Sequence, residues 1–127
     1  MDIQAALGTE TLTIAPGMRI AVPTGLHVSM PQAIEAQVRP RSGLALKHGL
    51  TVANAPGTID SDYRGEIHVL LINLGQEAVD ITDGMRVAQL IFAPVLHPEI
   101  MKSDNLDETK RGSRGFGSTG TGNEPYR

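Results

Sequence analysis

Three stretches of this sequence gather side chains able to act on a phosphate ester. The first is Ile59-Asp60-Ser61-Asp62-Tyr63-Arg64-Gly65-Glu66. Asp60 and Asp62 share a face if the segment is extended, because strand side chains alternate with a period of two. A carboxylate so placed can take a proton from water. A solvated turn uses the same residue types, and taken alone the segment reads that way. The second stretch is Arg39-Pro40-Arg41-Ser42-Gly43-Leu44. Ser capping a helix start with Arg beside it makes an anion site, and an ordinary N-cap with exposed arginines has the same letters. The third is Arg111 followed by Gly115-Phe116-Gly117-Ser118-Thr119-Gly120. Its letters fit G-x-G-x-x-G, but the dinucleotide fingerprint needs a strand before it and a helix after it, and this segment offers neither. Backbone without Cβ still lets several N–H groups approach an anion, and Arg111, Ser118 and Thr119 add a charge and two hydroxyls. A polyphosphate clamp and a plain flexible tail are both open here, the tail being the commoner case. His27, His48, His68 and His97 are scattered without metal-ligand spacing.

The composition bounds what can hold these residues. The chain has 127 residues, 11 Lys+Arg against 14 Asp+Glu, no Cys, no Trp, two Tyr and two Phe. That is one small domain, whose core must be aliphatic, with Phe92 expected in it. The absence of Cys excludes disulfides and a thiolate nucleophile and fits a reducing compartment. No apolar run reaches the roughly 18 residues of a membrane span, and no basic-then-apolar leader is visible, so a cytoplasmic protein is expected. The net charge of −3 argues against a sequence-blind nucleic-acid binder.

Short turn-punctuated segments must position the chemistry. Strands are expected near residues 10–14, 18–22, 26–30, 34–39, 65–74, 77–82 and 86–93, with residues 50–60 read as a hairpin. The one helical candidate is residues 42–47, weakened by Gly43. Such spacing predicts an all-β sandwich, jelly roll or barrel rather than an α/β fold. From residue 103 the chain turns polar, then basic and Gly-rich. Such a segment cannot bury enough surface to offset its ordering entropy. The expected division is a β domain over residues 1–102 and a C-terminal arm over residues 103–127.

Order and spacing together resemble the homotrimeric dUTPase family. Pro40-Arg41-Ser42-Gly43-Leu44-Ala45 is similar to that family's second motif and Gly57-Thr58-Ile59-Asp60-Ser61-Asp62-Tyr63-Arg64-Gly65-Glu66 to its third. Gly84-Met85-Arg86-Val87-Ala88-Gln89-Leu90 resembles the fourth, and Arg111-Gly112 through Gly120 the fifth. The third and fifth are the most specific. Of the first motif, which reads like A-G-x-D-L-x-A, the sequence holds Met1-Asp2-Ile3-Gln4-Ala5. The family's first strand and the Ala-Gly before the Asp are missing. This implies a fragment, a displaced start, or a trimer that does without that strand. Arg114 stands where the family often has a small residue.

The resemblance implies a distorted jelly-roll or β-barrel with one short helix and a flexible Gly-rich arm. It implies hydrolysis of dUTP to dUMP and pyrophosphate with Mg²⁺, which keeps uracil out of DNA and supplies dUMP for dTMP synthesis. Asp60 is then the general base for attack of water on the α-phosphorus. Arg41, Ser42, the Gly43 N–H, Gln89, Arg111, Ser118 and Thr119 bind phosphate. Asn54, Gly57, Thr58 and Ile59 meet the uracil edge, Tyr63 packs on the deoxyribose, and Phe116 with Gly117 covers the base. Mg²⁺ is held mainly by the substrate phosphates, with an indirect contact from Asp2 open. One subunit of the homotrimer supplies the uracil segment and Asp60, a second Ser42 and Gln89, and a third the arm. No nucleic-acid or membrane partner is implied. Three other readings compete: a dCTP deaminase on the same fold, with Glu66 or Glu35 as base; a non-catalytic nucleotide-binding trimer; and an unrelated jelly-roll oligomer.

Overall fold

The computed structural model describes residues 1–115. Its strands are β1 (Asp2–Gln4), β2 (Leu12–Ile14), β3 (Arg19–Pro23), β4 (Ile34–Arg39), β5 (Leu50–Val52), β6 (Gly57–Ile59), β7 (His68–Asn73), β8 (Val79–Ile81) and β9 (Arg86–Pro94), with helix α1 (Ser42–His48) between β4 and β5. They form three antiparallel sheets, ordered β1-β9-β4-β6, β2-β8 and β3-β7-β5. All these elements lie in one compact unit, Met1–His97, and a second unit begins at Pro98. Among the described residues no helix is long and apolar enough to cross a membrane.

The alternation of side chains builds the core. On β4, Ala36 and Val38 point inward, and on β7 it is Val69, Leu71 and Asn73. Ile3, Ile14, Val22, Leu50, Ile67, Ile81 and Leu90 close around them. Every buried hydrophobic side chain among the described residues is aliphatic, the Val, Leu and Ile among them contributing about 1.5–3 kcal/mol each when fully buried. β9 breaks its own alternation. Ile3 pairs with Ala88 but Gln4 with Arg86, leaving Val87 as the extra residue of a bulge. Val87 and Ala88 therefore both face the core, and Gln89 after them faces outward.

Several expectations change. Residues 26–30 form no strand. Leu26, Val28 and Met30 do pack on the core, so the alternation reports burial without a ladder. Residues 50–60 are not a hairpin: β5 pairs with β7 and β6 with β4, and the link between them, with its cis Ala55–Pro56 bond, crosses from one sheet to another. The strand expected from residue 65 starts only at His68, because residues 60–66 are held as a loop by their own hydrogen bonds. Phe92 is 49% exposed although it lies opposite the buried Ala36, in the part of β9 beyond the residues that β1 covers. Residues 2–4, read only as a motif remnant, form β1 on the edge of β9.

Asn73 is one of two buried polar side chains among the described residues. Its amide donates to the Ile14 and Glu77 carbonyls at 2.8 and 2.7 Å and accepts from the Gly75 N–H at 2.8 Å. It ties the end of β7 to β2 and to the turn before β8. Asn73→Ala leaves the buried Ile14 carbonyl without its hydrogen bond, which costs about 1–3 kcal/mol, and frees the Glu77 carbonyl and the Gly75 N–H, which water can reach. The expected loss is about 2 kcal/mol, read as a lowered urea midpoint. A midpoint unchanged from wild type would refute this role.

Candidate active site

Six residues of the third motif, Gly57, Thr58, Ile59, Asp60, Tyr63 and Glu66, line one cavity. β6 carries Gly57, Thr58 and Ile59, and its pairing with β4 sets Gly57 opposite Val38. The chain then leaves the sheet and turns, the Tyr63 N–H donating to the Asp60 carbonyl at 3.1 Å. Arg64 folds back on this turn, its guanidinium donating to the Ser61 and Tyr63 carbonyls at 2.7 and 2.9 Å. The cavity, about 240 Å³, is lined by Asn54, Gly57, Thr58, Ile59, Asp60 and Tyr63 over an apolar floor that includes Val38, Ile67 and Leu70. It is below the roughly 300–1,000 Å³ of sites for whole drug-sized ligands, a size for part of a nucleotide. A Cβ on Gly57 would come within 3.1 Å of the Asn54 Nδ2 and would push that amide slightly away from the strand. Asp60 also borders a second cavity of about 560 Å³ with Glu35, Asp62, Arg64 and His97. Its carboxylate thus stands between two hollows and is solvent-exposed.

The phosphate-binding candidates form a separate group. β9 sits between β1 and β4, so Gln89 is opposite Asp2 on one side and Arg39 on the other. The Gln89 amide donates to Asp2 Oδ1 at 3.2 Å, and Asp2 Oδ2 lies 3.3 Å from Arg41 and 3.5 Å from Arg86. Arg41 also donates to the Arg86 carbonyl at 3.1 Å. These are half-exposed ion pairs, weak in stability, but they aim Arg41, Arg86 and Gln89 at one patch. Ser42 is not the helix cap: Arg41 occupies that position and no side chain caps it. Pro40 and extended Arg41 lead straight into the first turn, so Ser42 and Gly43 are its first residues, whose N–H groups have no intrahelical acceptor. The 240 Å³ cavity includes none of Arg41, Ser42, Gly43 and Gln89. Arg111 belongs to the second unit, where it and Arg114 close a turn by bonding each other's carbonyls. Phe116, Gly117, Ser118 and Thr119 lie outside the described residues.

Sequence reasoning missed Glu66 as a structural anchor and gave Thr24-Gly25 no role beyond ending a strand. The Glu66 carboxylate accepts from the Gly25 and Thr24 N–H groups at 2.8 and 3.1 Å. The Gly25 bond first, with His68, the Thr24 bond and His27 adding to it, holds its pKa below the ordinary carboxylate value against a partial desolvation. A Glu directly after the Tyr-Arg-Gly of the third motif was visible. That its partner is the Pro-Thr-Gly turn about 40 residues earlier in the chain was not.

Comparison with known proteins shows the family and the fold. The fold and the two groups of residues define an all-β nucleotide-site protein. The dUTPase family model matches residues 2–120, and the chain belongs to the dUTPase family. The deoxyuridine 5'-triphosphate nucleotidohydrolase of Roseobacter denitrificans is 57% identical over 119 residues, covering 94% of this chain and 78% of that protein. That of Mesorhizobium japonicum is 57% identical over 122 residues, covering 95% and 76%. The structure of a Staphylococcus bacteriophage 80alpha dUTPase with dUpNHpp superposes with a TM-score of 0.80 at 25% identity, covering 94% of this chain and 85% of that one. A phage phi11 dUTPase described with a structural Mg(II) ion shares the fold at a TM-score of 0.73 and 22% identity.

The Glu66 anchor has a pH signature. A carboxylate with a lowered folded pKa contributes stability that is present above its unfolded pKa, about 4.3, and is lost as pH falls through the lower folded value. Urea midpoints measured from neutral pH down to about pH 3 should fall for wild type below the ordinary Glu range, and Glu66→Gln should remove that component. Parallel midpoint curves for the two proteins in this window would show that Glu66 is not tied as described.

Proposed function

We propose that this chain hydrolyses dUTP to dUMP and pyrophosphate, with Asp60 as general base. The observation that carries the reading is the convergence of Asn54, Gly57, Thr58, Ile59, Asp60 and Tyr63 on one small cavity, in a chain of the dUTPase family. The uracil edge meets Asn54 and the backbone of the Gly57–Ile59 strand, and the tight pocket rejects a 5-methyl by sterics and cytosine by its reversed donor pattern. Tyr63 packs on the deoxyribose. Asp60 orients a water for in-line attack on the α-phosphorus and accepts its proton as the bond to the β-phosphate oxygen breaks and pyrophosphate leaves. The exposed Asp60 carboxylate, bordering two hollows, leaves space for that water.

Arg41, Gln89 and the N–H groups of Ser42 and Gly43 hold phosphate oxygens, and Arg111, Ser118 and Thr119 of the arm grip the terminal phosphate under Phe116 and Gly117. The separation of the phosphate group from the cavity in one chain supports a homotrimer with shared sites, closed by a neighbour's residues 103–127. The described residues hold no cluster of three or more His, Asp or Glu able to ligate a metal. Asp2 is the acidic side chain placed among the phosphate ligands. This donor set fits a Mg²⁺ carried on the triphosphate, with Asp2 accepting from one of its waters. When bound, the ion neutralises phosphate charge and sharpens the electrophile.

A deaminase reading is less well supported. Glu66 is tied to Thr24 and Gly25, and Glu35 accepts from the Gln37 amide, so neither carboxylate stands ready as a base on cytosine C4. Release of ammonia from dCTP would overturn the hydrolase assignment.

Asp60→Asn should keep dUTP binding and lower kcat by about 10²–10⁴-fold, the usual weight of a general base. Turnover near wild type would mean another base. Deleting residues 110–127 should leave the melting temperature of the β domain unchanged and remove most activity; unchanged kinetics would refute the clamp.

A further inference from the structure

We propose that the Pro23-Thr24-Gly25 turn, which lies outside every motif, is a positioning element for Tyr63 and so sets the discrimination between deoxyribose and ribose. The proposal rests on the reading of Tyr63 as the sugar platform given above. Its basis is a continuous chain of contacts. The Thr24 hydroxyl, buried with only 7% of the residue exposed, donates to the Ile67 carbonyl at 2.6 Å. The Thr24 and Gly25 N–H groups both donate to Glu66 Oε1, and the Ile67 N–H donates to the Leu26 carbonyl at 2.8 Å. Residues 66 and 67 are thereby fastened along residues 24–26 where no regular ladder runs. The carbonyl of Glu66, held in this way, accepts the Tyr63 hydroxyl at 2.9 Å. The ring reaches it only by folding flat over Gly65, where any Cβ would overlap the Tyr63 Oη and Cζ.

Tyr63 is 43% exposed, so packing alone does not hold it. The backbone of Gly65 beneath the ring and the hydrogen bond at its tip do. This matters because a wall that only touches a sugar rejects an added hydroxyl weakly; rejection requires that the wall cannot recede. The tether from Thr24 and Gly25 through Glu66 prevents Tyr63 from receding. Glu66 acts through Tyr63 and is a positioning residue, not a catalytic one.

The test is kcat/KM for dUTP and for UTP in wild type, Glu66→Ala, Glu66→Gln and Tyr63→Phe. Glu66→Ala and Tyr63→Phe should each lower the dUTP-to-UTP selectivity about tenfold, the scale set by loss of one positioned hydrogen bond. Glu66→Gln should stay within about twofold of wild type, because its amide oxygen can accept the same two N–H groups. The Glu66→Ala/Tyr63→Phe double variant should be no less selective than either single one, since both cut the same tether. A general loss of structure would lower both substrates equally and leave the ratio alone. Tyr63→Phe removes one hydroxyl at a half-exposed position and reads the tether even if Glu66→Ala does not fold. An unmoved ratio in Tyr63→Phe, or a fall in Glu66→Gln as large as in Glu66→Ala, overturns the proposal. A wild type that fails to hydrolyse dUTP overturns the functional reading itself; a wild type active on dUTP with an unmoved ratio overturns only the tether.

Discussion

Both groups of candidate residues depend on β4 being paired along both edges. On one side it fixes β6 at the register Val38 to Gly57, and on the other β9 at the register Arg39 to Gln89. The strand that lines the small cavity and the strand that bears Gln89 are thus each held about 5 Å from β4, so one strand fixes both of the groups that each chain presents. Ala36 and Val38 anchor β4 in the core with no exposed surface or almost none. A slip of one residue would turn Ala36 and Val38 to solvent, and burial therefore guards the register on which both groups rely.

Rigidity is distributed differently in the two groups. The group around the small cavity is built by close contacts and fully engaged groups: Gly57 under the Asn54 amide, Gly65 under the Tyr63 ring, Glu66 on Thr24 and Gly25. The group around Asp2 is built from half-exposed ion pairs and from the open first turn of α1. This division suits the chemistry we propose for them. A neutral base is recognised by shape and by a few hydrogen bonds, which demand fixed geometry, whereas a polyanion is held by several cations whose positions can adjust.

Much of this was legible in the sequence wherever the determinant was local. The alternation in residues 34–39 marked β4 and the Ile, Val and Leu of residues 65–74 marked β7, the helical turn at residues 42–47 was placed within a residue or so, and six residues of the third motif line one cavity. The illegible parts were tertiary. Residues 26–30 alternate as a strand does, yet no neighbouring strand is there to complete a ladder. Residues 50–60 carry two strand segments whose partners are β7 and β4, not each other, which no local pattern states. Phe92 has a core residue's chemistry but sits on the part of β9 that β1 does not cover. Ser42 looked like a cap, but the extended Arg41 holds that position and Ser42 begins the first turn. Thr24 and Glu66 gain their meaning only from each other.

The bulge at Val87 has a consequence for how this chain tolerates change. Val87 is an extra residue between Arg86 and Ala88, so two neighbouring side chains face the core while Arg86 before them and Gln89 after them both face outward. Removing Val87 would restore a plain alternation in which Arg86, Ala88, Gln89 and Leu90 keep their faces. What would be lost is one fully buried valine and the local twist that a bulge gives to the end of a strand. The bulge thus adds an apolar side chain to the core without taking either polar side chain from the outer wall of β9.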